Sequence, residues 1–146
     1  MKWGSYKIGN VAIIEKIPTV KEYIQLRNSI GWNILQFDKI KKWLDNSIFC
    51  VCAEEKGSIV GFGRSIGDGA TVFYIQDIMV NPAYQKQKIA TLIMEKIMDY
   101  INNNCTEDAI VGLIAISELD NFYKKFGFIY NQNNNKTNNR IFCTII

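Results

Sequence analysis

The chain has 146 residues, a formal charge of +3, 48% hydrophobic residues and no histidine. That length fits one domain with a sizeable core, and a mild positive charge is far from the concentrated Lys/Arg patch of a dedicated nucleic-acid binder. Without an imidazole the chain alone builds no Ser-His-Asp or Cys-His centre, no His-ligated metal site and no histidine base, so its chemistry falls to carboxylates, tyrosine, lysine, cysteine, backbone dipoles or water.

The opening MKWGSYKIGN has no apolar signal-peptide core, and no apolar run approaches the roughly 18 to 20 residues that span a bilayer, so a cytoplasmic protein without a membrane partner is expected. A short strand around Val11 to Glu15 comes first. PTVKEYIQLRNSIGW then carries Val20, Tyr23, Ile24 and Ile30 at helical spacing, with Thr19 as candidate N-cap and Gly31 as the stop. A second helix, Gln36 to Asp45, is expected to put Phe37, Ile40, Trp43 and Leu44 on one face. IFCVCAEE and SIVGFGRSI read as strands joined by a Lys56-Gly57 turn, GDG at 67–69 makes the next turn, and ATVFYIQDIMV is a long β-branched and aromatic strand. Together they predict an antiparallel meander. Cys50 and Cys52 share a face of their strand, while Cys105 and Cys143 are isolated; with no CxxC pair, free and mostly buried thiols are expected, and no metal.

In NPAYQKQKIATLIMEKIMDYINNN, Ile89, Leu92, Ile93, Ile97 and Ile101 repeat at helical spacing, with Asn102 to Asn104 as the stop. AIVGLIAI suits a buried strand beside the preceding one, which makes a right-handed βαβ crossover. A short helix from Glu118 to Phe126 ends at Gly127. The last strands are about Phe128 to Tyr130 and Arg140 to Ile146, and the asparagine-rich NQNNNKTNNR between them reads as an exposed hairpin loop. Residues 1–146 therefore form a single α/β domain with a mixed (α+β) sheet.

Three pieces, in order and spacing, resemble the GNAT superfamily of N-acetyltransferases between Ile59 and Phe128. YIQDIMVNPAYQKQKIATLIMEKI is similar to that family's central strand, its VxPxYQ exit and the loop opening the acetyl-CoA helix. FYKKFGF at 122–128 is similar to the FYxxxGF signature, and IVGFGRSIGDG to the family's "VG" strand. LRNSIGW at 26–32 also resembles the first helix and following loop of small bacterial members. The resemblance implies a GNAT-like fold, a central mixed sheet flanked by helices, and acetyl-CoA-dependent N-acetyl transfer to a small-molecule or peptide amine.

A strand turning directly into a helix presents unpaired N–H groups and a positive dipole end, which suits a pyrophosphate. The family pattern Q/RxxGxG/A reads here Gln85, Lys86, Gln87, Lys88, Ile89, Ala90, and Thr91 completes the expected cofactor-binding turn. Lys88 replaces the glycine: its Cβ opposes a glycine-specific backbone angle, whereas its charge and that of Lys86 favour a phosphate. Their side chains read equally as a solvated helix start. The resemblance also implies a bulge in the central strand that frees backbone groups of Ile78, Met79 and Val80 for the pantetheine arm.

Asp77 should point away from Ile78, and a carboxylate in an apolar strand needs solvent or a partner. It is a candidate for substrate ammonium binding or base work through water, or else a charge paired with Arg64 or a backbone amide. By resemblance Tyr123 is the catalytic acid, protonating the departing CoA thiolate. Many members carry an Asn seven residues earlier; here that residue is Ile116. For the acceptor, Trp32 in the loop after Gly31, Tyr74 and Glu118 are candidates, while Phe122 reads as packing and Trp43 as core. The Lys88 and Ile116 departures motivate an alternative, a noncatalytic acyl-CoA sensor or interaction module; an RNA-directed role has only the mild charge behind it. Exposed edge strands permit a homodimer.

Overall fold

The computed structural model describes residues 6–32, 36–130 and 139–145. In chain order they form β1 (Tyr6–Ile8), β2 (Val11–Glu15), α1 (Val20–Ser29), α2 (Phe37–Asp45), β3 (Phe49–Glu55), β4 (Ser58–Gly67), β5 (Val72–Val80), α3 (Ile89–Asn104), β6 (Ile110–Ile116), α4 (Asp120–Lys124), β7 (Ile129–Tyr130) and β8 (Asn139–Ile145), with 3-10 turns at Pro82–Tyr84 and Ser117–Leu119. The described strands make one sheet in the order β1-β2-β3-β4-β5-β6-β8-β7. All neighbours are antiparallel except β5 and β6, which run parallel on either side of the α3 crossover.

Local chemistry explains most boundaries. Thr19 accepts from Glu22 N–H at 3.2 Å and Glu22 accepts from Thr19 N–H at 2.8 Å, a capping box that satisfies two donors at the start of α1. Lys56 and Gly57, both at positive φ, close the β3–β4 hairpin. The sheet separates two apolar layers. On one face α3 lays Ile89, Ile93, Ile97 and Ile101 over Val51, Phe73 and Ile75. On the other, Tyr23 and Leu26 of α1 and Ile40 and Leu44 of α2 cover Cys50, Cys52, Phe62 and Met79. Complete burial of such side chains contributes roughly 1.5–3 kcal/mol each.

Several expectations are corrected. Phe37 is 61% exposed, since the buried face of α2 runs through Ile40 and Leu44, and Trp43 is half-buried. α3 runs through Asn102 to Asn104 instead of stopping at them; Asn103 and Asn104 donate side-chain N–H groups to the carbonyls of Asp99 and Tyr100, which keeps the last turn closed. The helix expected from Glu118 to Phe126 is a 3-10 turn followed by the shorter α4. β1, unread in the sequence, pairs with β2. The asparagine-rich loop at 131–138 and the side chain of Cys143 lie outside the described residues.

The feature that positions the site is in β5. Arg64 pairs with Gln76 and Phe62 with Met79, so Asp77 and Ile78 together oppose Gly63, and Asp77 takes φ +60. This β-bulge shifts the alternation by one residue. Phe73 and Ile75 face α3, but beyond the bulge Met79 faces α1 and α2. β5 pairs with β6 only from Val72 to Ile75, after which β6 continues beside β8 alone, and the sheet opens between the two parallel strands.

Candidate active site

Two cavities meet at this opening and share Ile78, Leu119 and Tyr123 as walls. The larger, about 480 Å³, lies between the end of β5 and the start of α3 and is lined by Val80, Tyr84, Gln85, Lys86, Lys88, Ile89, Ala90, Thr91 and Phe122 as well. The smaller, about 290 Å³, fills the gap between β5 and β6 and is walled by Asp77, Trp32, Ile114 and Ile116 among others.

The larger cavity gathers most of the residues expected to bind the cofactor. Lys88 is the N-cap of α3 at φ +64 and ψ +15, the left-handed conformation a glycine would take there, and no side chain caps the helix. The first α3 amides therefore lack intrahelical partners at the cavity wall. Lys86 is also left-handed, φ +63, so two basic residues flank this turn. The exposed Gln85 folds back on the end of β5, its Nε2 donating to Val80 O at 3.0 Å. Asn81 N–H returns to Val60 O on β4 at 2.8 Å, so alternation turns the N–H of Val80 away from β4, toward the opening. Gln87 is not among the described lining residues, and the Met79 side chain is buried on the opposite face.

Tyr123 is 5% exposed, packed edge-on against Phe122 and Phe128, and burial, with the nearby Tyr74 phenol, pushes its pKa up to about 12. It keeps its proton across the neutral range. Phe128 N–H and Phe126 N–H both return to the Tyr123 carbonyl, which fixes α4 against the turn into β7.

Asp77 is held from several directions. Its Oδ2 accepts from Tyr23 Oη at 2.8 Å and from Arg64 Nε at 2.9 Å, and Arg27 Nη1 stands 3.8 Å from Oδ1. Arg64 Nη1 donates in turn to Ser47 Oγ at 3.2 Å and Trp43 O at 3.3 Å. The pairing with Arg64, one of the two readings of Asp77, is the geometry observed. Burial, then the charge of Asp77, pushes the Tyr23 phenol up to about 12.

Of the acceptor candidates, Trp32 lines the smaller cavity, with the Arg27 guanidinium 5.2 Å from its ring centroid. Tyr74 is half-buried and Glu118 exposed, and neither is among the described residues lining the two cavities. Sequence reasoning missed Tyr84, whose hydroxyl donates to Glu55 beside the larger cavity, and Leu119 at the junction; Phe122 lines the cavity as well as packing. Tyr84 stands inside the VxPxYQ motif, which was its available signal.

Comparison with known proteins identifies the family and the fold. Residues 32–144 match the acetyltransferase (GNAT) domain. A crystal structure of a protein of unknown function from methicillin-resistant Staphylococcus aureus, described as a probable acetyltransferase, is 41% identical, with a TM-score of 0.79, over 84% of this chain and 92% of that one. An aminoglycoside 6'-N-acetyltransferase complexed with coenzyme A shares the fold, with a TM-score of 0.72 at 12% identity, over 91% of this chain and 96% of that one. The uncharacterized N-acetyltransferase ycf52 of Pyropia yezoensis is 28% identical over 112 residues, 74% of this chain, which spans 63% of that relative's length.

Proposed function

The chain belongs to the GNAT acetyltransferase family, and on that premise we propose that it transfers an acetyl group from acetyl-CoA to a primary amine by direct attack in a ternary complex. One observation carries the reading: Tyr123 is a shared wall of two cavities, one reaching the uncapped start of α3 and the other the opening between β5 and β6.

Acetyl-CoA supplies the activated acetyl group and the leaving thiolate. The larger cavity is of the size that small ligands occupy, and its amides at Ile89 to Thr91 with Lys86 and Lys88 suit a pyrophosphate. The N–H of Val80 suits an acyl carbonyl oxygen and would stabilise the charge that develops there. Tyr123 then offers its hydroxyl to sulfur. Held near 12, the phenol is a weaker acid than a thiol of reference pKa about 8.5, so it stabilises the thiolate chiefly as a hydrogen-bond donor. With no histidine in the chain and the Asp77 carboxylate engaged by Arg64 and Tyr23, the amine proton leaves through water.

The test is calorimetric titration with acetyl-CoA, followed by thiol release in the presence of a panel of primary amines. Binding with amine-dependent release is expected. Folded protein that binds no acetyl-CoA overturns the proposal, and binding without release for any amine leaves a sensor instead of an enzyme.

A further inference from the structure

Within that transferase reading, we propose that the acceptor is a primary amine on an apolar alkyl or aryl body, carrying no second positive charge. Three observations lead there: the walls of the smaller cavity, the distribution of carboxylates, and the surface from which the cavity opens.

β6 alternates Val111, Leu113 and Ala115 into the core with Ile110, Ile114 and Ile116 outward. A sheet face left to water ordinarily carries polar residues. Here the outward positions are isoleucines: Ile114 is 51% exposed and Ile116 45%. With Leu119 and Trp32, also exposed, they wall the smaller cavity, so the apolar surface leads directly to Tyr123. It also extends beyond the cavity. Ile129 pairs with Cys143, and Cys143 with Gly112, which puts Ile129 on the same face, 74% exposed. An apolar strip continuous with a reaction centre fits the body of an apolar acceptor.

The charges point the same way. The chain has 14 acidic residues, and none falls in the segments 1–5, 33–35, 131–138 or 146, so every acidic side chain belongs to a described residue. Of these only Asp77 lines the smaller cavity. Glu118 and Asp120 flank Leu119 without lining it. Asp77 is bonded to Arg64 and Tyr23 and has Arg27 at 3.8 Å, so one carboxylate stands with two guanidinium groups. A polyamine or aminoglycoside would bring several ammonium groups to a wall with no carboxylate to spare, and would lose their hydration. A single amine avoids that cost. The apolar part of the wall, beside the neutral Gln76 and an Asp77 already paired with Arg64, also favours its neutral form, which is the nucleophile, and so eases proton loss in a chain that has no histidine base.

The experiment compares hexylamine with 1,6-diaminohexane, which match in length and differ in the second charge, and 2-phenylethylamine with spermidine, at saturating acetyl-CoA with thiol release as readout. The expected result is a kcat/KM at least tenfold higher for hexylamine and 2-phenylethylamine. Ile114→Glu, at an outward position that does not enter the core, should shift the hexylamine to diaminohexane ratio at least tenfold toward the diamine while acetyl-CoA affinity is kept. Equal or better turnover of the diamines overturns this inference and leaves the transferase reading intact. If calorimetry shows acetyl-CoA bound and none of these or a wider amine panel releases thiol, the transferase reading fails and this inference with it.

Discussion

At Lys88 a lysine performs a task usually left to glycine. Its left-handed φ of +64 opens α3, and the residue itself lines the larger cavity. Such a conformation costs a non-glycine residue roughly 1–2 kcal/mol, which Lys88→Gly relieves, although glycine also gives the unfolded chain more freedom. The net expectation is a stability gain of about 0.5 kcal/mol in urea unfolding, with acetyl-CoA affinity weakened less than tenfold because the amides remain. Tyr123 makes a sharper prediction. Tyr123→Phe keeps the ring that packs on Phe122 and Phe128 and removes only the hydroxyl, so turnover should fall at least tenfold while calorimetry finds acetyl-CoA affinity within about twofold. Both residues could be nominated from sequence because local motifs around them resemble those of the family. The left-handed conformation of Lys88 and the buried, proton-retaining state of Tyr123 come from the residues packed around them.

Among the elements, β5 decides the site. Its bulge sits opposite Gly63, where an added Cβ would come within 2.7 Å of both Ile78 and Ile93, so glycine there is what lets α3 lie close against β4 and β5. Asp77 anchors the bulge to β4 through Arg64 and to α1 through Tyr23 and Arg27. Arg64→Met should destabilise the fold by about 3 kcal/mol in urea unfolding, since the remaining carboxylate keeps Tyr23 and Arg27 but loses its shortest cationic partner. Asp77→Asn in the same background should return part of that loss, because the uncompensated charge is gone. A merely local effect at Arg64 would show no such recovery. This lattice was legible only in part: Arg64 lies 13 positions from Asp77, on the adjacent hairpin strand, whereas Tyr23 lies 54 positions away and no periodicity reports its contact.

At the scale of the whole molecule, two buried phenols and two buried thiols among the described residues set an alkaline limit. Burial pushes Tyr23, Tyr123 and Cys52 each up to about 12 and raises Cys50. The folded state therefore retains protons that the unfolded chain releases above about pH 9 for the thiols and pH 10 for the phenols. Stability should hold below those values and fall as pH rises toward 12, with each phenol contributing about 2–3 kcal/mol to the loss. Unfolding midpoints measured from pH 7 to 11.5 should stay level and then drop, and Tyr123→Phe should soften the drop. Near pH 7 the same shifts keep the thiols and Tyr123 protonated, consistent with hydrogen-bond donation at sulfur and with no thiolate nucleophile at Cys50 or Cys52.

Local chemistry by itself determined the order of the elements from β2 onward, the apolar face of α3, the N-cap of α1, the strand-turn-helix passage into α3 and the exclusion of histidine chemistry. Each depends on residues a few positions apart, through periodicity, capping or composition. Only the tertiary structure decided that Asp77 is held by two arginines and a tyrosine, that β5 parts from β6 after Ile75, and that Tyr123 walls two cavities at once. Those features arise from strand register and from charges brought together across the fold. A bulge of one residue exchanges the faces of everything beyond it, and a chain read by alternation alone carries no mark of where that exchange falls.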